Sequence, residues 1–390
     1  MVSSFYPPYH VGGACVHVYH LANALAKEGH QIHVLYSKDA YRIKRRGKPS
    51  LKSYPNHENI RLHDIESICS RGAVMFTYVT GFPASRKMKL LFDQDFDLIH
   101  YHNISLLGPQ VLRYGDAHKI YTAHDHWLLC PYNDYFTRGK VCNVSPPSPL
   151  TCSFCLMRNK RPPQFWRFSN KLKDALREID LIISPSRYLK SFYHKYGIEQ
   201  PITVLPNFVP NPPEVAQNPP GKDYFFYAGM LEEIKGISNL LKVFRGIDEK
   251  LVIAGKGSLE PAVRRAAENG SNIVYANWLN RDEMYTYYSN ARAFILPSLC
   301  PENFPLTILE AYSVGTPAMG SNIGGIPEII GQVNKNLLFQ PHDNEEFAHK
   351  VKHFSREAYS KKQIKDLFHS NYSHDNYIKE YLKLVNSILD

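Results

Sequence analysis

Short apolar runs alternate along the chain with segments whose apolar residues repeat at helical spacing. This alternation is typical of βα units that build parallel sheets. In the first half it predicts strands at residues 31–36, 97–102, 119–124, 181–186 and 202–207. In the second half it predicts strands at residues 224–229, 250–255, 272–277 and 292–298.

Between the loop near the start and the first of these strands, "HVYHLANALAKEGH" places its apolar residues on one helical face, and Gly29 closes the helix. The proline-rich stretch 206–222 suits neither a helix nor a central strand and predicts a linker. We therefore predict a Rossmann-like N-terminal domain at 1–206, a linker at 207–222, a Rossmann-like C-terminal domain at 223–373 and a helix at 374–390 that crosses back to the first domain.

This organisation is an α/β fold with two doubly wound domains that face each other across a cleft. Ligands of such sheets bind at the carboxyl ends of the strands. Very few residues precede the loop "SSFYPPYHVGG", where a complete strand is expected. Either the first strand is short, or the true start lies upstream of Met1.

A length of 390 residues suits two domains of roughly 150–200 residues each. The sequence contains no apolar run of about 18 residues and no readable signal peptide, so we expect a cytoplasmic protein. Contact with the cytoplasmic membrane face stays open. Residues 72–92 mix aromatic, apolar and basic side chains, which suits either a peripheral membrane segment or an internal helix under a loop.

The net charge of +10 favours an anionic partner: nucleotide phosphates, nucleic acid or an acidic membrane. Much of this charge lies in residues 41–52 and 157–168, which read as basic loops. These loops are either ordinary solvated segments or a surface for an anionic acceptor or lipid headgroups.

Glu302 and Glu310 lie eight positions apart around the start of a predicted helix. Pro305 suits the first helical position, which places Glu302 in the preceding loop and Glu310 within the helix. Eight helical steps span roughly 12 Å, more than the roughly 5–9.5 Å that separates the carboxylates of hydrolytic pairs. Because a helix start binds anions, the pattern favours carboxylates that bind two polyols on either side of a phosphate. The alternative is one surface loop residue and one ordinary helix residue.

The stretch "YAGMLEEIKGISNLL" reads as a strand and a short loop that ends in Lys235, next to a helix start. A lysine there can contact phosphate oxygens as a point charge. Gly229 and Gly257 lie in strand-to-helix turns, where the backbone can approach a ligand closely. Each glycine alone is a weak signal, because such turns commonly contain glycine.

Together these motifs resemble glycosyltransferase family 4, whose members are retaining, nucleotide-sugar-dependent enzymes of the GT-B fold. The resemblance covers nearly the whole chain, and its most specific parts are the glutamate-x7-glutamate element and the "GxLxxxKG" loop. It implies catalytic roles for Glu302, His124 and Lys235, with Glu302 by the donor sugar and Lys235 by the diphosphate. It further implies that the donor is bound by Gly12, Gly13, Gly229, Lys235, Gly257, Phe304, Pro305, Leu306 and Glu310, the last at the ribose.

In the first half, "YTAHDHW" resembles the family segment whose histidine, here His124, faces the donor sugar. Asp125 and His126 then orient His124 or contact acceptor hydroxyls. Met230 stands where the family usually has an arginine. This departure implies weaker donor binding or a substitute cation such as Lys256, and it leaves open whether the enzyme is fully active.

The implied function is transfer of a hexose-type sugar from a nucleotide diphosphate sugar to the hydroxyl of a glycan, a lipid-linked or a small-molecule acceptor, with no cofactor required for catalysis. The family mechanism needs no protein nucleophile, because the leaving phosphate assists deprotonation of the acceptor. Alternatives are a GT-B sugar-nucleotide epimerase, a phosphorylase-like enzyme and, remotely, a nucleic-acid-binding protein. The sequence does not reveal the donor base, the sugar or the acceptor.

Four cysteines, Cys130, Cys142, Cys152 and Cys155, crowd into a segment rich in proline and polar residues. Only the last pair has the spacing of a metal knuckle. We predict that 130–155 is an insertion of the N-terminal domain that shapes an acceptor-side loop. A structural zinc, disulfides and reduced thiols all remain open for these cysteines.

Overall fold

We describe a computed structural model of the chain, which covers residues 1–45, 49, 53–144, 148–213, 221, 223–268 and 272–389. The chain forms two compact units. The first unit comprises Met1–Asn133, Asn143–Leu205 and Ile378–Asp390, and the second comprises Asp134–Cys142 and Pro206–Tyr377. Half of the predicted linker, residues 214–220 and 222, lies outside the described residues.

The first half of the chain contains strands and helices in alternation. Its strands are β1 (Ile32–Ser37), β2 (Ile60–Ile65), β3 (Leu98–Tyr101), β4 (His118–Thr122), β5 (Phe136–Thr137), β6 (Lys140–Val141), β7 (Leu181–Ser184) and β8 (Ile202–Val204). Its helices are α1 (Gly13–Lys27), α2 (Lys38–Lys44), α3 (Ser70–Thr80), α4 (Arg86–Phe92), α5 (Pro149–Arg158), α6 (Lys171–Leu176) and α7 (Arg187–Lys195), with 3₁₀ turns at Pro109–Arg113 and Phe165–Phe168.

The second half repeats the alternation. Its strands are β9 (Phe225–Ala228), β10 (Leu251–Ala254), β11 (Ile273–Tyr275), β12 (Ala293–Leu296), β13 (Ala318–Ser321) and β14 (Leu338–Phe339). Its helices are α8 (Ile237–Arg245), α9 (Glu260–Ala267), α10 (Arg281–Asn290), α11 (Leu306–Ser313), α12 (Ile326–Val333), α13 (Asn344–Lys352), α14 (Lys361–Asn371) and α15 (His374–Leu389), with 3₁₀ turns at Glu233–Lys235, Lys335–Leu337 and Arg356–Ala358.

The sheet of the first unit is parallel and has a very short first strand. β1 pairs with β2, and β3, β4, β7 and β8 pair in that order. Val2 forms parallel bridges to Leu35 of β1 and to Tyr101 of β3, so it joins the two sets into one sheet. The first strand, expected before the loop, is therefore reduced to the bridges of Val2.

The sheet of the second unit is also parallel, in the order β11-β10-β9-β12-β13-β14. All four residues of β9, of β10 and of β12 are buried, as expected for central strands that helices cover on both faces. Three of the unit's described helices, α10, α13 and α14, begin with a side-chain cap, and at the start of α10 Asn280 and Glu283 form a reciprocal capping box. Apolar runs and caps together give a doubly wound sheet.

The strands predicted from the apolar runs are confirmed, with ends that differ by at most three residues. The basic segments predicted as loops are partly helical instead: residues 41–44 lie in α2, and residues 157–158 lie in α5. Residues 46–48 and 50–52 of the first segment lie outside the described residues. Among the described helices, none combines the length and the apolar character that a membrane crossing requires.

The predicted cysteine-bearing insertion is divided between the units. Residues 134–142, which contain the hairpin β5–β6, belong to the second unit, although the sequence analysis placed the whole insertion in the first domain. The reason is apolar contact: Phe136 clusters with Leu299 and Cys300. For α15, residues 374–377 belong to the second unit and residues from 378 onward to the first.

Candidate functional site

The candidate site of the second unit lies where its strand order reverses. β9 and β12 are adjacent central strands, with β10 and β11 on one side and β13 and β14 on the other. The loop after β9 ends in Lys235, and the loop after β12 contains Glu302. Doubly wound sheets bind ligands at such a switch point, beyond the carboxyl ends of the strands.

Lys235 and Glu302 form an ion pair at this point, through Lys235 Nζ and Glu302 Oε1. The hydroxyl of Ser298 donates a second hydrogen bond, of 2.7 Å, to the same carboxylate oxygen. The two charged side chains are only 18% and 16% exposed. Burial acts to lower the pKa of Lys235, but the Glu302 carboxylate outweighs it and the pKa is raised. The ammonium therefore stays charged, and it has three N–H donors, more than one carboxylate oxygen uses.

Gly236 explains why the loop can bring Lys235 to this place. Its φ is +75°, in the left-handed region, and it precedes the first residue of α8. A Cβ at this position would lie 1.9 Å from the carbonyl oxygen of Pro297. Only glycine therefore allows the loop after β9 to pack against the end of β12.

Glu310 lies on α11, in a different environment from Glu302. It accepts a 3.0 Å hydrogen bond from the hydroxyl of the buried Tyr288. Burial raises the pKa of Glu310 to about 7, against the opposing effects of the Tyr288 hydrogen bond and the Arg281 charge. Near neutral pH this carboxyl group is about half protonated, so it can both donate and accept hydrogen bonds.

The start of α11 differs by one position from the prediction. Pro305 is the residue before the helix, with ψ of 111°, and Leu306 is the first helical residue. The side chain of Phe304 is buried and its ring centroid lies 5.9 Å from that of Tyr372, so it belongs to the core. The first backbone N–H groups of α11 have no partner within the helix, which makes this end attractive to anions.

The other predicted residues of this unit lie in turns after the strands. Gly229 directly follows β9. Gly257 follows β10, and a Cβ there would lie 2.4 Å from the Leu231 carbonyl oxygen. The neighbouring Met230 is exposed, and Lys256 Nζ lies 5.9 Å from the ring centroid of Trp278. Glycine is therefore required at position 257, because the loop after β10 packs closely against the loop after β9 there.

In the first unit, the predicted residues lie at the start of α1 and after β4. Gly12, with φ of +81°, precedes α1, and Gly13 is its first residue. His124 follows β4, and its Nε2 lies 3.1 Å from Nδ1 of His102, which follows β3. Burial lowers the pKa of His124 to about 4, so the ring is neutral at physiological pH.

Asp125 and His126 both take part in the turn after β4, and their contact with His124 or an acceptor stays a prediction. The Asp125 carboxylate accepts hydrogen bonds from the Trp127 backbone N–H, at 2.8 Å, and from Asn133 Nδ2, at 3.0 Å. His126 is buried, with Nε2 3.0 Å from the Tyr188 hydroxyl. Both side chains are thus engaged in local structure.

The hairpin β5–β6 is a contributor to the site that sequence reasoning missed. Phe136 packs with Leu299, Cys300 and Ile234, and the charge of Asp134 acts on Lys235. The alternating stretch "DYFTRGKV" with its Arg-Gly turn was the available signal. Burial, followed by the Glu302 charge, raises the pKa of the Cys300 thiol to about 12, so this cysteine is protonated and a poor nucleophile.

The four clustered cysteines do not form a metal site in the part of the chain that the structure describes. All four are recorded as thiols; Cys152 and Cys155 lie on α5, and Cys142 directly follows β6. No group of three or more His, Cys, Asp or Glu side chains among the described residues is placed to hold a metal ion. A structural zinc, one of the three states left open for these cysteines, stays a prediction.

Comparison with known proteins gives matches over both halves of the chain. Residues 11–211 match the family model described as Glycosyltransferase Family 4, and residues 210–366 match Glycosyl transferases group 1. The chain is 22% identical to an uncharacterized glycosyltransferase of Methanocaldococcus jannaschii, over 97% of this chain and 95% of that protein. It is 24% identical to the MMP alpha-(1->4)-mannosyltransferase of Mycolicibacterium hassiacum, over 83% of this chain and 80% of that protein.

A solved structure supports the same likeness at the level of the fold. Sucrose-phosphate synthase from Thermosynechococcus elongatus matches with a TM-score of 0.76 at 16% identity, over 99% of this chain and 98% of that one. At this identity the likeness concerns the architecture, and residue roles must be argued from the site itself.

Proposed function

Since the chain belongs to glycosyltransferase family 4 and has the GT-B fold, we propose that it transfers a sugar from a nucleoside diphosphate sugar to an acceptor hydroxyl with retention of anomeric configuration. One observation carries this proposal: the Lys235–Glu302 pair lies at the switch point of the second sheet. A cation and a carboxylate side by side suit a ligand with a phosphate next to a sugar.

Lys235 is the proposed contact of the diphosphate. Its ammonium is charged, mostly buried and already fixed by Glu302. As the bond to the sugar breaks, negative charge grows on the leaving phosphate, and a preorganised cation stabilises that charge more than it stabilises the ground state. The N–H groups at the start of α11 are proposed to add to this effect.

The two glutamates are proposed to bind different hydroxyl groups. We assign the Glu302 carboxylate, whose Oε1 accepts hydrogen bonds from Lys235 and Ser298, to a hydroxyl group of the transferred sugar. Glu310, with its raised pKa, is assigned to the ribose. The diol of a ribose offers both donors and acceptors, which a half-protonated carboxyl group can match.

The proposed chemistry requires no protein nucleophile. The bond between the anomeric carbon and the phosphate oxygen breaks, and the acceptor oxygen attacks the same face of the sugar. The acceptor proton passes to the leaving phosphate oxygen. Because Lys235 and the helix start carry the positive charge that the leaving group needs, we further propose that the transfer proceeds without a metal ion.

A donor panel tests the proposed function. Uridine, guanosine and adenosine diphosphate sugars are added in turn, and one of them is expected to raise the melting temperature, since a ligand at about 100 times its Kd stabilises by about 2.7 kcal/mol. With an acceptor, NMR of the product is expected to show the anomeric configuration of the donor, also in the presence of a chelator. Inversion of the anomeric configuration would contradict the proposed retention. Product formation that requires added magnesium or manganese would contradict the proposed metal-independent transfer.

The first unit carries exposed apolar side chains, Met75, Phe76, Phe82, Phe165 and Phe168, which we call the apolar patch. Trp166 Nε1 donates a 3.0 Å hydrogen bond to the Tyr78 carbonyl, which ties the 3₁₀ turn at Phe165–Phe168 to α3, where Met75 and Phe76 lie.

Basic side chains accompany this patch. Lys171 Nζ lies 4.5 Å from the Phe82 ring centroid, and Lys87 and Lys89 are exposed on α4, which follows Phe82 in sequence. Exposed apolar side chains together with lysines fit the headgroup region of an anionic bilayer. We therefore propose peripheral contact with an anionic membrane, which would suit a lipid-linked acceptor.

Sedimentation with vesicles tests the membrane contact. The protein is expected to sediment with vesicles that contain phosphatidylglycerol and to be released by high salt. The double variant Phe76→Ser, Phe82→Ser is expected to lose at least about tenfold in partitioning, because each buried aromatic side chain contributes roughly 1.5–3 kcal/mol. Val274→Ser, at an exposed apolar position of the second unit, is the matched control. Equal partitioning of both variants would contradict the proposal.

A further inference from the structure

Four histidines pack together in the first unit, and three of them were not predicted as site residues. His17 lies on α1, His100 on β3, His102 directly after β3, and His124 after β4. The ring centroids of His100 and His102 are 3.9 Å apart, and those of His102 and His124 are 5.4 Å apart. His17, His100 and His102 are at most 2% exposed.

All four rings are neutral at physiological pH. Burial is the main cause that lowers the pKa of each, and the neighbouring histidines add to it for His17, His100 and His102. A neutral imidazole has one N–H donor and one bare nitrogen. The hydrogen bond between two neutral rings therefore fixes which nitrogen of each ring carries the proton.

The contact between His102 Nδ1 and His124 Nε2, at 3.1 Å, permits two arrangements. If His124 donates, the proton of His102 must lie on Nε2. That atom is buried and has no hydrogen-bond partner. If His102 donates from Nδ1, its Nε2 is a bare acceptor. Buried N–H groups without an acceptor are rarer than unsatisfied acceptors, so the second arrangement is favoured.

His100 packs against the ring of His102 but does not determine which nitrogen of His102 carries the proton. Its Nε2 lies 2.7 Å from the Thr122 hydroxyl, and its Nδ1 lies 2.9 Å from the Tyr381 hydroxyl. A hydroxyl group can donate or accept, so these contacts suit either tautomer of His100. They do fix the plane of the His100 ring, which packs against His102 at an interplanar angle of 36°.

We propose that His102 is a positioning residue that locks His124 as the Nδ1–H tautomer, so that His124 offers a bound sugar a hydrogen-bond donor and not a base. This inference rests on the proposed function, with His124 at the donor sugar as the resemblance to glycosyltransferase family 4 implies. The partial exposure of His124, next to the fully buried His102, fits a ring that meets ligand on one edge and protein on the other. A neutral donor can bind a sugar oxygen without taking a proton from it.

The tautomer can be read directly in the unmodified protein. Histidine labelled with ¹⁵N gives a long-range ¹H–¹⁵N spectrum in which the protonated and bare nitrogens of a neutral ring differ, and the His124 signals are assigned by their loss in His124→Gln. We expect a proton on Nδ1 and a bare Nε2. A proton on Nε2 of His124 would overturn the inference.

Variants test the consequence for transfer. His102→Leu removes the donor, and kcat/KM is expected to fall about tenfold, which corresponds to one hydrogen bond of about 1.4 kcal/mol. His102→Asn keeps an amide N–H at the place of Nδ1 and is expected to restore most of the rate. The exposed His194→Gln is the control and is expected to retain the full rate. Equal rates for His102→Leu and the wild type would count against the positioning role.

The outcome for His124 itself separates the two proposals. If His124→Ala keeps full activity while Nδ1 carries the proton, the tautomer lock holds and the assigned contact with the donor sugar fails. If His124→Ala loses activity while Nε2 carries the proton, the assigned contact holds and the lock is refuted.

Discussion

The Lys235→Met variant is expected to lose roughly 10²–10³-fold in kcat/KM for the nucleoside diphosphate sugar. Methionine keeps most of the length of the side chain but removes the charge that we assign to the diphosphate. The loss has a second source, because Glu302 then faces the phosphate without its counter-ion and repels it. Steady-state kinetics and calorimetric titration with the free nucleoside diphosphate measure both effects.

Two further variants make this expectation specific. Lys242→Met removes the same charge from an exposed position on α8 and is expected to change kcat/KM by less than about twofold, as isolated surface charges contribute little. Glu302→Gln can still accept hydrogen bonds from Lys235 and Ser298, and it is expected to retain nucleotide affinity while transfer falls. If Lys235→Met binds the nucleotide as tightly as the wild type, the assigned role of Lys235 is wrong.

Much of the fold could be predicted because central parallel strands are continuous apolar runs. β9, β10 and β12 were found in this way, and all of their residues are buried. β2 was missed because it lies at the sheet edge and carries the polar residues Arg61 and His63. β13 was missed because it contains Gly320, where a Cβ would lie 2.8 Å from a methyl group of Ile330, so packing demands a residue with low strand propensity.

The site was predictable as a set of residue types but not as a set of contacts. Motif spacing and resemblance assigned Lys235 to phosphate and Glu302 to a sugar separately, whereas the structure joins them in one ion pair across 67 positions of sequence. The Tyr288 hydroxyl that binds Glu310 lies 22 positions before it, without any local pattern that marks it. Such contacts depend on strand order, which periodicity does not give.

The histidine cluster also depends on strand order, which the sequence pattern did not reveal. His100 and His102 looked like ordinary residues at the end of a strand, and His17 like one position of an amphipathic helix. Parallel pairing of β3 with β4 brings His102 next to His124. This arrangement has a consequence for stability as well as for the site.

Acidification from pH 7 to pH 5 is expected to unfold the first unit. A histidine that is neutral when folded takes up a proton on unfolding once the pH falls below its ordinary pKa of about 6.5. Its stabilising contribution is complete above that pH and is lost as the pH falls toward the lowered folded value, which is about 4 for His124. The loss is up to about 1.4 kcal/mol per pH unit for each histidine, and up to about 5.6 kcal/mol per pH unit for four. A loss of this size is comparable to the whole free energy of unfolding of a domain, which is about 5–15 kcal/mol, so the first unit is expected to unfold.

Acidification changes the stability of the second unit in the opposite direction through Glu310. Its folded pKa, about 7, lies above that of an ordinary glutamate, so its protonated form is the one that folding favours. As the pH falls from 7 toward 4.5, this group adds stability to the second unit. In an acid titration the two units should therefore unfold at different pH values, with the first unit unfolding at the higher pH.

Tryptophan fluorescence can follow the first unit almost alone. Trp127 and Trp166 are buried in that unit, whereas Trp278 is exposed in the second. A red shift of the emission between about pH 6 and pH 5 is expected, and urea titrations at several pH values give the number of protons taken up on unfolding. The His17→Leu variant is expected to take up nearly one proton fewer than the wild type, and the exposed His194→Gln about as many. Urea midpoints that stay constant from pH 7 to pH 5 would show that these histidines are not neutral in the folded protein.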